Sequence, residues 1–202
     1  MKPKFPVTAT IIVLAAVMTM IALGAWQLQR RAWKDALIER YAAAAQQSEE
    51  VSWPMKPQQV EDSLYRRSHF RCAKVVSMTS VAGRSAMGDP GLAIVANCRL
   101  GLKSEVAVSL GWTLEPKVIE WQGGDVHGVI ASGGEGPDGK LRPRLVAYPP
   151  VPGLQPLAKP DPNDLPNNHL AYAVQWFIFA FIALVIYGIV LARRLAPAPS
   201  RR

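Results

Sequence analysis

The chain is short of charge. Charged residues make up 19% of its 202 positions, below the ~25% of an ordinary soluble domain, so part of it is built to avoid water. It is short of cysteine, and two residues exclude a disulfide-stapled scaffold or a cysteine-rich metal cluster. It has three histidines, His69, His127 and His169. None stands at a zinc-like spacing from another histidine or a cysteine, so a zinc site of the usual kind is not expected. G-x-S-x-G, a Walker loop and a Rossmann fingerprint are missing. Asp89 and Asp125 sit in turn-like segments where aspartate is ordinary. With no nucleophile–base pair in view, an enzyme is not expected.

An excess of basic residues is present, but its placement argues against nucleic acid as a partner. The formal net charge is +8. All 15 acids lie between Asp35 and Asp164, and the 17 basic residues from Arg30 to Lys159 leave the middle near balance. The surplus comes from Lys2 and Lys4 at one end and Arg193, Arg194, Arg201 and Arg202 at the other. Basic tails beside apolar runs are a topology signal for membrane proteins, not a duplex-binding face.

Two such runs are long enough to cross a bilayer. Residues 5–29 and 170–192 carry no charge, and a hydrocarbon core of ~30 Å needs roughly 20 apolar residues as a helix. Lipid cannot satisfy backbone amides, so both runs must be helical. A cleaved signal peptide is the alternative for the first, but its apolar stretch is longer than the ~7–15 residues of a signal core. The arginines after the second run place that end in the cytoplasm, and with two spans the N-terminus joins it. The residues between face the periplasm of a bacterium or the intermembrane space of a mitochondrion, and the bacterial inner membrane is the expected location. Arg30, Arg31 and Lys34 oppose this rule at the outer end of the first span. They either snorkel at the lipid surface beside Trp26 and Trp33 or meet something anionic there.

The expected organisation follows. It comprises an N-terminus and first span over 1–29, then a helix extension to about Gln47 and a loop over 30–62. A β-rich domain over 63–148, a Pro-rich return segment over 149–168, a second span over 169–192 and a basic tail over 193–202 complete it. Helix persists through DALIERYAAAAQQ, which has long straight side chains and no Gly or Pro. Ser48 to Gln59 reads as loop. YRRSHFRCAKVV, GLAIVANCRLG, SEVAVSLGWTL, DVHGVIA and LRPRLVAY read as short strands between Gly, Pro and Asp. No helix-length segment separates them, so a small, mainly antiparallel sheet or barrel is expected rather than a parallel doubly wound sheet. The fold class is therefore membrane α+β. Residues 149–166 hold seven prolines and read as an extended spacer or a proline-rich recognition motif, without secondary structure. Cys72 and Cys98 lie on different strands, and a disulfide between them is permitted but not readable from spacing.

The second span opens with PNNHLAYAVQWF. Asn167 or Asn168 can cap it, and His169, Tyr172 and Trp176 recur at i, i+3 and i+7 on one face. Such a face either belongs to an aromatic belt or holds a flat apolar cofactor, a neutral imidazole being a usual axial haem ligand. The first span ends with Trp26, Arg30 and Trp33 at i, i+4 and i+7, with Gln27 and Lys34 on the adjacent stripe. Antiparallel packing would bring the two ends to one depth.

These two ends carry a resemblance. LGAWQLQRRAWKDALIERY resembles the N-terminal signature of the Surfeit locus protein 1 family, and NNHLAYAVQWFIFAFIALVIY resembles its C-terminal signature. YRRSHFRC resembles its first strand, and SEVAVSLGWT its strand leading into a Gly-Trp pair, here Gly111 and Trp112. Ser109-Leu110 replaces the family's Asn-Arg pair, and Gly91-Leu92 its Gly-Tyr element. The resemblance implies an assembly factor for haem-copper cytochrome c oxidase acting on the catalytic subunit beside other assembly factors. It also implies a role in supplying or stabilising A-type haem. By the same resemblance His169 is the candidate metal ligand. Arg30, Arg31 and Lys34 would then pair with haem propionates, and Trp26, Tyr172 and Trp176 would line the ring. A membrane-tethered sensing module is the alternative reading, although neither tail is long enough to be an output domain.

Overall fold

The computed structural model describes residues 5–101 and 105–196. Lys2, Lys4, Arg201 and Arg202, on which part of the topology argument rests, lie outside them, as does Ser104 of an expected strand. The chain forms two units. One holds the spans, up to Leu37 and again from Pro166; the other, Ile38–Leu165, holds the β domain.

The long apolar helices that carry the spans are α1 (Val7–Ala45) and α3 (His169–Leu195). Runs of Val, Ile and Thr are poor helix formers in water, but in lipid the backbone has no other partner and the helix is forced. Asn168 occupies the N-cap of α3, as expected for one of the two asparagines, but without a side-chain capping bond; its carbonyl accepts from the Tyr172 N–H, and the Asn167 amide turns to Asp35.

The second unit is a seven-stranded open sheet. Its strands are β1 (Glu50–Ser52), β2 (Arg67–Cys72), β3 (Lys74–Arg84), β4 (Pro90–Arg99), β5 (Glu105–Thr113), β6 (Gly124–Glu135) and β7 (Leu141–Ala147). Their order is β1-β2-β6-β7-β5-β4-β3. Pairing is antiparallel except for β1 with β2 and β5 with β7. The segment Ser48 to Gln59, expected as loop, instead supplies β1 and the start of α2 (Pro57–Ser63). Pro57 opens that helix where its missing N–H costs nothing.

The run YRRSHFRCAKVV is two strands rather than one. Only Ala73 separates β2 from β3, yet they occupy the second and last places in the sheet. Chain continuity therefore rolls the sheet, bringing its far side round to β2. Ala73 donates its N–H to the Arg99 carbonyl at that corner, and Cys72 forms a disulfide with Cys98, their Cα atoms 5.3 Å apart. The disulfide follows from the roll, because Cys98 pairs with Val75 across the β3–β4 ladder.

The return segment is part of the domain. Trp112 and Gln155 exchange both backbone hydrogen bonds at 2.7 and 2.9 Å, and Ala158 donates to Arg84. Leu157 packs with Ala93, Trp112, Ala131 and Val146 in a buried cluster. A 3-10 turn, Pro162–Asp164, follows, with Asp161 capping Asn163. The expectation of a spacer without secondary structure is thus corrected: proline removes donors, but the amides of Val151, Gln155 and Ala158 donate to the strand carbonyls of Leu110, Trp112 and Arg84.

Leu110, Ile130, Leu145 and Val108 are fully buried at the centre. Leu110→Ala is expected to lower the unfolding free energy of this domain by about 2–5 kcal/mol, transfer and cavity terms acting together. A denaturant titration followed by tryptophan fluorescence measures it, and a loss below ~1 kcal/mol would contradict the buried position.

Candidate functional site

The two spans meet along a seam. On α1 the shielded side chains are Thr10, Val13, Val17, Met20, Gly24, Gln27, Arg31 and Lys34; on α3 they are His169, Ala173, Trp176, Ala180, Ala183 and Tyr187. Both series alternate steps of three and four, the spacing of a coiled-coil stripe. Small residues fall where the helices come closest, as expected when packing rather than water drives association. Val17, Gly24, Ala173 and Ala180 are buried. A Cβ added to Gly24 would lie 2.7 Å from the Phe177 ring, so the ring must shift before any side chain fits there. At one end of the seam the Thr10 and Tyr187 hydroxyls share a hydrogen bond.

At the other end the seam is polar. His169 Nδ1 lies 2.7 Å from Gln27 Oε1 in a half-buried contact. An amide oxygen only accepts, so Nδ1 is the donor in this contact. One turn further out, Asn167 Nδ2 donates to Asp35 Oδ1 at 2.7 Å. Asp35 also faces Arg31, at 3.5 Å. Two side chains from each span are therefore tied across the mouth of the seam.

The expected site residues divide between this seam and the outer surface. His169, Trp176, Arg31 and Lys34 lie on the seam. Trp26 and Tyr172 are about half exposed, at 50% and 52%, and face away from it. Arg30 also points outward, its guanidinium 4.5 Å from the centre of the exposed Trp33 ring. The stripe that meets α3 is thus Gln27, Arg31 and Lys34, and the Trp26, Arg30 and Trp33 stripe lies beside it. The reason is the 3.5-residue period: a seam through Gly24 continues to Gln27 and Arg31, not to Trp26 and Arg30. Gln27 is the residue that the sequence reading left in the background; its place at i+3 from the one glycine of the span was the available signal.

The motifs at these two ends are joined by one further finding: residues 14–181 match the SURF1 family. The chain belongs to the SURF1 family. The match runs from inside the first span, through the whole β domain, into the second. No curated protein matches the chain. SURF1 proteins are assembly factors of cytochrome c oxidase rather than a catalytic family, and the two long apolar helices make this member a membrane protein.

A second polar group lies in the β domain, on the exposed face of β1, β2 and β6. Glu50 is 2.6 Å from His69 Nδ1 and 3.2 Å from His127 Nδ1. The hydrogen bond to His127 holds the Glu50 carboxyl below its usual range; the His69 bond acts the same way, while burial opposes both.

Proposed function

We propose that this SURF1 protein holds A-type haem at the outer mouth of its span pair while the oxidase catalytic subunit matures. His169 would hold the haem iron. The reading is carried by the His169–Gln27 hydrogen bond. A ligating histidine needs its second nitrogen anchored so that the first presents a lone pair in a fixed direction, and Gln27 does this from the opposite span.

The surrounding donor set fits a haem. Arg31 and Lys34 follow Gln27 at i+4 and i+7, and Arg30 stands beside them, so propionates would find cations at the membrane surface. Trp176 lies two turns inward of His169 on the seam, while Trp26 and Tyr172 contribute an outer aromatic rim. The Gly24–Phe177 contact closes the seam inward, so the residues offer the group an edge at the mouth rather than an internal cavity. The haem brings the iron and the apolar macrocycle; the chain orients one imidazole, supplies countercharge and keeps the site at the lipid boundary.

In this reading both termini are cytoplasmic and the β domain stands in the periplasm of a bacterial inner membrane. The Cys72–Cys98 disulfide supports that side, since such bonds persist in oxidising compartments. The partners are the catalytic subunit, other assembly factors and membrane lipid. The test is to purify the protein from cells that make A-type haem and from cells that do not. A Soret band is expected only in the first preparation, and capture in mild detergent should recover the catalytic subunit. A colourless protein from haem-replete cells would remove stable haem binding.

A further inference from the structure

We propose that Glu50, His69 and His127 form a second binding site, independent of the spans, for one late first-row divalent cation such as Zn2+ or Cu2+. The topology builds it. β2 pairs antiparallel with β6 so that His69 stands directly opposite His127. β1 adds Glu50 from the other side, in parallel with β2. Alternation puts all three on one face: Ser68, Phe70, Cys72 and Val126 point inward, and His69 and His127 point outward.

The geometry is that of converging ligands. The imidazole rings stack with centroids 5.1 Å apart. Each turns a nitrogen to a different oxygen of the same carboxylate. One donor atom from each residue falls within 4.8 Å of the others. Zn–N bonds of ~2.0–2.1 Å place tetrahedral ligand atoms about 3.4 Å apart, a spacing that the present contacts bracket. The side chains are exposed, so small rotations close the remainder.

The donor set selects the ion. Two neutral imidazoles and one carboxylate suit Zn2+ or Cu2+ and leave a fourth position for water. Ca2+ and Mg2+ want more oxygens than one glutamate provides. Both cysteines are consumed in the disulfide, so no thiolate draws a softer ion. Competing cations are engaged elsewhere: Arg71 pairs with Asp125 at 3.3 Å, and Lys159 lies 4.8 Å over the Tyr148 ring. Arg67 shares the face and weakens the field, so micromolar binding is expected rather than the tighter affinity of a closed structural site. Separations of 19 and 77 residues along the chain explain why no spacing rule finds the cluster.

The test uses the full chain in detergent, without a histidine tag, stripped with EDTA and titrated with ZnCl2 or with CuSO4. One ion per chain is expected for the parent and for His169→Ala. Affinity should fall about tenfold or more in Glu50→Gln, and binding should vanish in His69→Ala/His127→Ala. The melting temperature should rise with either ion in the parent and not in the double variant. If the alanine pair fails to fold, His69→Gln/His127→Gln keeps the hydrogen-bonding capacity and serves instead. Unchanged uptake by the double variant, no uptake by the parent, or loss of the ion in His169→Ala would each overturn the site.

Discussion

The chain carrying Cys72→Ser and Cys98→Ser is expected to melt roughly 10–20 °C below the parent. The bond closes a loop with 26 residues of sequence separation. In the chain-entropy account a loop of that length restricts the unfolded ensemble by about 3.5 kcal/mol, a large fraction of the stability of a domain this size. The native geometry adds a second reason. The bond sits where the rolled sheet brings the end of β2 against β4, and no strand ladder joins β2 to β3 or β4 among the described residues. With the bond gone, that corner is held by the Ala73 hydrogen bond and by packing alone. Thermal unfolding followed by tryptophan fluorescence, with and without reductant, measures the loss. Equal melting under both conditions would show that the disulfide contributes nothing to this domain.

Gly24→Leu is expected to abolish the function of the span pair while leaving α1 helical. Leucine favours helix over glycine by nearly 1 kcal/mol, so the change cannot act by weakening α1. It acts by volume. A Cβ already meets the far end of the Phe177 ring at 2.7 Å, so the ring must swing aside or the spans must part, and the remaining side chain adds an overpacking cost of about 1–3 kcal/mol. The His169–Gln27 and Asn167–Asp35 contacts span the same gap and would be lost with it. The readouts are haem content of the purified protein and yield of assembled oxidase in its host. Adding Phe177→Ala returns the missing volume and should restore both. Failure of that rescue would mean that Gly24 matters for a reason other than closeness to Phe177.

The sequence carried the fold in unequal parts. Both spans were legible because an uncharged run long enough to cross lipid has one conformation open to it. β4 to β7 were legible through their β-branched runs and bounding glycines. β1 was not, since a three-residue edge strand has no periodicity to read. The split of β2 from β3 was hidden because a corner at Ala73 needs neither Gly nor Pro. The return segment was misread because proline content reports the backbone's missing donors, not the carbonyls that still bond. At the seam, His169 and the basic cluster were legible from residue type, but the choice between the Trp26 stripe and the Gln27 stripe depends on helix rotation. That rotation is set by Gly24, Ala173 and Ala180 packing closely, which a helical wheel of one span alone does not contain.

The absorption spectrum of His169→Ala, purified beside the parent from the same cells making A-type haem, tests the central claim most directly. The account predicts a folded, disulfide-bonded protein whose Soret band is lost. A band of unchanged position and intensity would contradict it, and the role given to His169 and Gln27 would fall.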